Sequence, residues 1–403
     1  MTKELLKELD QSSKSARFKR KIISHFIEKG PSTINELAKV LNLSIPTINK
    51  FVSDLIERGA AKVYGKQETS GGRYPLLYGL DPEAGYFVGA DVKFNMVNIG
   101  IVDFTGEIKE TFYDIPFVLE NSQEKMDELC RIILDTINNA GYSADNILNV
   151  NINLPGRINP ETGFSYTFFN FQQELPLTAL LSERLGLSVT IDNDTRGMAY
   201  GEYTHGCASV AKARNLLYLN LSWGLGLGII LDGKVYLGKS GFSGEFGHIS
   251  AFDNQLLCHC GKKGCLETEV SGKAMQRILV ERIKAGEISV LSQKVLAGED
   301  LTFDEIIQAT IGEDMLCLEV LTEMGNKLGK QVATLINLFN PECVVIGGAL
   351  SLTGDFLTQS VQNVVRTHSL SLVNRDTKIL AACLGERSGV IGACMLARTR
   401  RFC

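Results

Sequence analysis

No apolar run in this chain of 403 residues approaches the length of a membrane span. The N-terminus, MTKELLKELDQSSKSARFKRK, is charged and lacks the apolar core of a secretory signal. These absences argue against a membrane partner and make the cytoplasm the expected location. Cysteine is sparse: ten in the whole chain, too few for a secreted disulfide scaffold, so most are expected to be reduced, buried or metal-bound. No low-complexity segment and no short tandem repeat is present. What remains is ordinary for a globular protein, with 44% hydrophobic and 22% charged residues and enough length for two or three domains.

Charge is unevenly spread. Residues 1–80 carry 14 Lys and Arg against 8 Asp and Glu, whereas the rest carries 27 against 38. A small basic head on a large acidic body suggests that the head alone meets a polyanion. A chance imbalance of surface charge would look the same, so patterning has to decide.

In SARFKRKIISHFIEKG the apolar residues Phe18, Ile22, Ile23, Phe26 and Ile27 recur at helical spacing, and Gly30-Pro31 ends the run. STINELAKVLNLS predicts a short second helix, with Ser32 or Thr33 as its cap and Glu36 placed for a capping box. After the turn LNLS, a third helix, IPTINKFVSDLIERG, is predicted to start behind Ser44 with Pro46 in its first turn and to stop at Gly59. This is the helix-turn-helix plan, whose last helix enters a DNA major groove. Pro46, Thr47, Asn49 and Lys50 face outward at its start, suited to base edges and phosphates. AAKVYGKQETSGGRYPLLYGL reads as two strands around a glycine-rich tip, a wing that offers Arg73 to a minor groove. A three-helix domain that binds protein is the plainer alternative. The basic excess, the polar front of helix three and the Gly-Gly-Arg tip favour DNA.

Beyond Pro82 the texture becomes α/β. YFVGADVKFNMVNIGIVDF and ETFYDIPFV read as strands, SQEKMDELCRIILDTINNAG as an amphipathic helix and ILNVNINLPG as a strand. LTALLSERLG and SVTIDND follow as helix and strand. The plan then repeats, with NLLYLNLSWGLGLGIILDGKVYLG, the long helix LEVLTEMGNKLGKQVATLINLFN and the strand CVVIGGAL. Two α/β units in similar order imply two lobes with a cleft. Residues 258–265, CHCGKKGC, place three cysteines in a C-x-C-x4-C pattern. Alone, it fits either three buried thiols or three ligands of a metal. An iron–sulfur cluster is disfavoured because no fourth cysteine lies nearby.

Several stretches together resemble the ROK family of sugar kinases and sugar-responsive repressors. They are GEFGH (244–248) with Cys258-x-Cys260-Gly261-x-x-Gly264-Cys265-x-Glu267, LPGRINPETG (154–163), IDNDTRGMAYGE (191–202), NPECVVIGGALS (340–351) and the junction SGGRYPLLYGLDPEAGYFVGADV (70–92). The resemblance covers nearly the whole chain. It implies an α/β, actin-like (ribonuclease H-like) two-lobed sugar kinase fold behind a winged helix-turn-helix head. The expected domains are residues 1–80 for the head, 81–200 for the first lobe and 201–385 for the second, with a C-terminal helix (386–403) packing back on the first lobe. The second lobe is expected to carry a zinc site and an oligomerisation surface.

The resemblance also implies roles for residues. Structural Zn2+ would be held by Cys258, Cys260, Cys265 and His248, with His259 as the rival fourth ligand. Asn193, Asp194, Glu245, His248 and Glu267 would contact sugar hydroxyls, with Asn170 and the Gly156–Arg157 loop as looser matches. Asp194 matches the general base of the kinases and is catalytic only if kinase activity is retained. The phosphate loops depart from the kinase pattern. Where kinases read D-x-G-G-T-K, this chain has Asp91-Val92-Lys93-Phe94-Asn95-Met96, and Cβ atoms obstruct a backbone phosphate cradle. In Leu221-Ser222-Trp223-Gly224-Leu225-Gly226-Leu227-Gly228, the only tryptophan replaces a small hydroxyl residue, and the alternate glycines read as serving the strand turn. ATP is therefore disfavoured. The expected protein is a repressor, a homodimer or homotetramer binding double-stranded operator DNA and responding to a sugar or sugar phosphate. An ATP-dependent sugar kinase with an accessory head is the alternative. A DNA-binding protein governed by a protein partner is the third reading.

Overall fold

The computed structural model describes residues 1–66, 75–171 and 174–402, and the chain forms two compact units, Met1–Asp192 with Ala393–Cys403, and Asn193–Gly392. The first unit opens with the helices α1 (Lys3–Leu9), α2 (Lys14–Lys29), α3 (Ile34–Leu41) and α4 (Ile45–Glu57). Their boundaries have local chemical causes. Ser13 caps α2, and Gly30, at φ 76°, closes it. Thr33 and Glu36 form a reciprocal capping box on α3, and Asn42 ends that helix in the left-handed region. Ser44 caps α4, and Pro46 occupies its first turn. Ile22, Ile23, Phe26, Leu37, Ile48, Val52 and Leu55 are buried between the helices. Strands β1 (Ser32–Thr33), β2 (Ala61–Lys66) and β3 (Leu76–Leu80) pair in the order β1-β3-β2. The wing tip SGGR, with Arg73, lies outside the described residues.

Helix α1 has no counterpart in the sequence reading. It buries Leu5 and Leu9, and its Glu8 joins an ion-pair network that ties three helices together. Lys19, 4% exposed, meets Glu8 at 2.7 Å and also Asp54. Arg58 meets Glu8 at 2.8 Å and Asp54 at 3.1 Å. Removing one member of a buried network leaves its partners desolvated and unpaired. Lys19→Met is therefore expected to destabilise the head by about 3 kcal/mol, the low end for such losses because Glu8 and Asp54 keep some solvent contact. Thermal melts followed by circular dichroism read the effect; an unchanged melt would show that Arg58 suffices.

The body sheet of the first unit uses β4 (Tyr86–Val92), β5 (Met96–Asp103), β6 (Ile108–Pro116), β7 (Ile147–Leu154) and β10 (Val189–Asn193) in the order β10-β7-β4-β5-β6. β4 is antiparallel to β5 and parallel to β7. Helices α5 (Gln123–Asn139) and α6 (Leu177–Leu185) cover its core of Val88, Ile99, Ile101, Leu129, Ile133, Ile152 and Leu181. A small hairpin, β8 (Ile158–Asn159) and β9 (Phe164–Ser165), follows β7.

The second unit repeats this topology. Its strands β11 (Leu216–Leu221), β12 (Leu225–Leu231), β13 (Lys234–Val235), β14 (Cys343–Gly347) and β15 (Lys378–Ala381) run in the order β13-β12-β11-β14-β15. Again the first strand is antiparallel to the second and parallel to the fourth. Each unit thus has three meandering strands followed by two reached through helices, so the same sheet is built twice. Its helices are α7 (Asp194–His205), α8 (Cys207–Val210), α9 (Gly272–Lys284), α10 (Ser292–Leu296), α11 (Phe303–Ile311), α12 (Met315–Phe339), α13 (Asp355–His368) and α14 (Ser371–Asp376). Gly325 and Gly329 let α12 lie close on α13, since a Cβ at either would fall 2.6–2.7 Å from Ser360 or Val364.

Helix α15 (Ser388–Phe402) starts in the second unit, and its residues from Ala393 onward belong to the first. Gly89 in β4 allows it to approach: a Cβ there would sit 2.2 Å from the Cys394 amide nitrogen. Asn149 donates to the Ala397 carbonyl, Arg400 pairs with buried Asp192, and Arg401 makes a double contact with Asp10. Among the described residues, no helix is long and apolar enough to cross a membrane.

Candidate functional site

Asn193 and Asp194 stand at the start of α7, held by its own capping chemistry. The Asn193 side chain accepts from the Arg196 amide at 3.1 Å, and its Nδ2 donates to Asp194 Oδ1 at 2.7 Å. The Thr195 amide donates to the same oxygen at 2.7 Å. Burial raises the Asp194 carboxyl above its usual range, while these hydrogen bonds and Arg196 oppose the rise. One carboxylate oxygen is thus fixed by the helix terminus, which sets the direction of the other.

The glycines after Trp223 do more than serve a turn, and here the structure differs from the sequence reading. The turn itself is closed by the Ser222 amide donating to the Gly224 carbonyl at 3.1 Å. Gly226 and Gly228 lie within β12 and admit α7: a Cβ at either would fall 2.4 Å from Thr195 or Ala199. Gly224 similarly leaves room for the Glu267 carboxylate, 2.9 Å from its hypothetical Cβ. Glu267 Oε2 accepts from the Leu225 amide at 3.0 Å. The start of β12 is therefore the shared support of Asp194 on α7 and of Glu267. Gly244 and Gly247 pack against the Leu227 and Leu225 carbonyls, which brings the segment bearing Glu245 and His248 to the same strand.

The cysteine-rich loop completes this wall. His248 and the thiols of Cys258, Cys260 and Cys265 offer four ligand atoms that all lie within 4.8 Å of one another. Cys258 Sγ is 3.5 Å from His248 Nδ1, and Cys260 Sγ is 3.6 Å from Cys265 Sγ. A tetrahedron with Zn–S of about 2.3 Å and Zn–N of about 2.0 Å has edges of roughly 3.8 and 3.5 Å. The donor set and its spacing thus fit zinc. Gly261 and Gly264, both at positive φ, shape the knuckle, and a Cβ at Gly264 would collide with the Phe252 carbonyl. The rival His259 turns its Nδ1 to Glu267 Oε1 at 3.0 Å and lies 3.8 Å from Cys258 Sγ. With Nδ1 of His248 facing the thiols, its Nε2 is left toward Glu245 Oε2, 3.8 Å away. One ring nitrogen can therefore face a metal while the other faces Glu245.

Asn170 lies in the first unit. It exchanges hydrogen bonds with Asn121 at 2.6 and 3.0 Å and lines a cavity of about 440 Å³ with Tyr166 and Phe169. In the same unit, the turn at Asp91–Met96 is a tight hairpin. Lys93 donates to the Met96 carbonyl at 2.9 Å, and the Phe94 carbonyl accepts from Leu119 at 2.8 Å. None of its residues has a positive φ, so it makes no left-handed nest for a phosphate. Phe94 is 56% exposed and packs edge-on against Phe168. In the second unit, Trp223 packs against Phe303. On the head, Pro46, Asn49 and Lys50 are exposed, while Thr47 is half-buried and shares a 2.7 Å hydrogen bond with Ser44.

Comparison with known proteins places this arrangement. Residues 88–400 match the ROK family. The chain belongs to the ROK family. Residues 16–60 match the winged helix-turn-helix DNA-binding family, so the chain is a ROK protein with a DNA-binding head. The xylose repressor of Caldicellulosiruptor bescii is 30% identical over 359 residues, covering 89% of each chain. A ROK family transcriptional regulator described as a homolog of the Escherichia coli MLC protein superposes with a TM-score of 0.81 at 28% identity, over 96% of this chain and 97% of its own. A ROK glucokinase from Streptomyces griseus, in complex with glucose and AMPPNP, gives a TM-score of 0.66 at 27% identity, over 78% of this chain and 99% of its own. The two repeated units are accordingly the actin-like, ribonuclease H-like fold, with the winged head added in front.

Proposed function

We propose that the protein is a sugar-responsive transcriptional repressor whose head binds operator DNA and whose body reads a sugar or sugar derivative. The observation that carries this is the joint match of head and body to a transcriptional regulator, where the kinase matches the body alone. The residues assigned to the effector are Asn193, Asp194, Glu245, His248 and Glu267, all in the second unit. Fixed carboxylates and amides suit hydroxyl groups, each of which donates and accepts. Xylose is the first candidate effector, by likeness to the xylose repressor. Zinc on His248, Cys258, Cys260 and Cys265 keeps the effector wall in register. A homodimer or homotetramer presents two heads to two half-sites, which gives specificity that one head lacks.

Duplexes selected from a random library by the full-length protein supply a probe for fluorescence anisotropy. Addition of D-xylose or D-glucose is expected to change the affinity for that probe. Selection of no sequence would sink the head assignment, and sugar binding without effect on DNA would sink the sensor. Lys50→Ala should weaken binding to all duplexes alike and lower the salt slope by about 1, as a phosphate contact does. A loss confined to particular sequences would make Lys50 a base contact instead.

The kinase reading rests on Asp194. An ADP-release assay with D-xylose and D-glucose separates the two: turnover that vanishes in Asp194→Asn would favour the kinase.

A further inference from the structure

Glu202, on the last turn of α7, has a fully buried carboxylate that takes no part in the effector site. Its two oxygens gather two distant segments. Oε2 accepts from the Cys207 amide at 3.1 Å, and Oε1 accepts from the Leu384 amide at 2.7 Å. Each segment carries a cysteine at that point, Cys207 at the start of α8 and Cys383 just before Leu384. The two sulfur atoms and a Glu202 oxygen all lie within 4.8 Å of one another. Cys207 is buried and its thiol is directed to Glu202 Oε2 at 3.5 Å, whereas Cys383 is exposed. Burial, with Glu202 and Cys383 adding to it, raises the Cys207 thiol, so in the reduced protein it is held as a neutral donor. Gly206 is required for this packing, because a Cβ there would sit 1.9 Å from the carboxylate.

We propose that Cys207 and Cys383 form a thiol–disulfide exchange site that closes under oxidising conditions, with a small-molecule disulfide such as oxidised glutathione as the oxidant. The exposed Cys383 thiolate attacks one sulfur of glutathione disulfide, and the first glutathione leaves as its thiolate, leaving a mixed disulfide on Cys383. The Cys207 sulfur then attacks the Cys383 sulfur while its proton passes to Glu202, and the second glutathione leaves. The sum is two cysteine thiols and one glutathione disulfide giving one protein disulfide and two glutathione thiols. Two thiols gathered within 4.8 Å of each other react at high effective concentration, so the second step outruns escape of the mixed disulfide. The sulfur atoms must close to about 2 Å, which the exposed bend at Cys383 permits more readily than the buried helix start at Cys207. The bond would fix the end of α7, whose first residue is Asp194, to the segment that leads into α15. In the second unit α15 already touches α7, where Gly392 faces the Gly197 carbonyl.

The test uses the full-length reduced protein, equilibrated at neutral pH in glutathione buffers of increasing oxidised fraction. The samples are quenched in acid, alkylated, digested and read by mass spectrometry. The expected product is a cross-linked peptide pair containing Cys207 and Cys383, short of two hydrogens, while Cys258, Cys260 and Cys265 report separately. Cys383→Ser should abolish the cross-link with no change in the reduced protein's melting curve. Glu202→Gln should let the Cys383–glutathione adduct accumulate before closure. Alkylation of both cysteines at every ratio, or a Cys383 adduct that never closes, overturns the proposal. So does a zinc ion that is lost specifically in Cys383→Ser, which would make the cluster a metal site.

Discussion

Cys260→Ser is expected to remove zinc, lower the melting temperature of the second unit and abolish the sugar response in one step. A serine hydroxyl is a poor zinc ligand at neutral pH, and three remaining donors leave the tetrahedron open. Structural zinc contributes about 10–16 kcal/mol to small zinc-folded domains. Here the loop also has backbone support, including the Cys258 amide on the Lys262 carbonyl and the Ala251 amide on the Gly264 carbonyl. The loss should therefore be local rather than global. The segment between Glu245 and Glu267 has little apolar core of its own: Phe246, Cys258, Cys265 and Leu266 are its buried apolar residues. The proposed ion would add to the backbone bonds between the His248 segment and the loop, such as the Leu266 amide on the Ile249 carbonyl, so without it Glu267, two residues beyond Cys265, should lose its register. Metal analysis, a melting curve and a sugar titration of DNA binding read the three effects. A strong chelator should reproduce them in the unmodified protein, more readily at lower pH, because thiolate ligation displaces protons. Loss of zinc with an intact sugar response would show that the metal does not support the effector wall.

Much of the fold was legible because its signals are local. Thr33, Glu36 and Ser44 announce their helices by capping chemistry, and the structure uses each as expected. The strands and long helices of both units follow from periodicity, and their repeated order from reading them in sequence. What escaped was made by residues far apart in the chain. No local pattern marks Glu8, Lys19, Asp54 and Arg58 as partners, and only packing of α1 on α2 and α4 makes them a network. The glycines of β12 carry a kinase-like spacing, yet their role is close approach of α7, which depends on a helix that begins about 30 residues earlier. In the proposed effector wall, the motifs supplied the residue types. The capping of Asp194 by Asn193 and Thr195, the turning of His259 toward Glu267 and the use of His248 Nδ1 on the thiol side are three-dimensional facts. Cys207 and Cys383 had no sequence signal, since only a shared carboxylate brings them together.

Glu267→Gln isolates the charge of the effector wall from its shape. Glutamine keeps the volume and one carbonyl oxygen, which can still accept from the Leu225 amide now bonded to Oε2. The chain after Trp223 should therefore hold, and DNA affinity without sugar should stay the same. What is lost is a charged acceptor for a sugar hydroxyl, held from its other side by His259 at 3.0 Å. Hydrogen bonds to charged groups contribute about 1.5–3 kcal/mol, which corresponds to roughly 10- to 150-fold in sugar affinity. Because sugar and DNA are coupled through one protein, the midpoint of the sugar response should move by the same factor. Glu267→Ala separates the two roles further, since it strands the Leu225 amide and should add a fall in stability. Calorimetry with the responding sugar and anisotropy with the selected duplex measure both quantities. A midpoint that moves less than about twofold in Glu267→Gln, against the 10-fold or more expected of a charged hydrogen bond, would leave Glu267 as a support for the turn alone. The sugar contacts would then have to rest on Asn193, Asp194, Glu245 and His248.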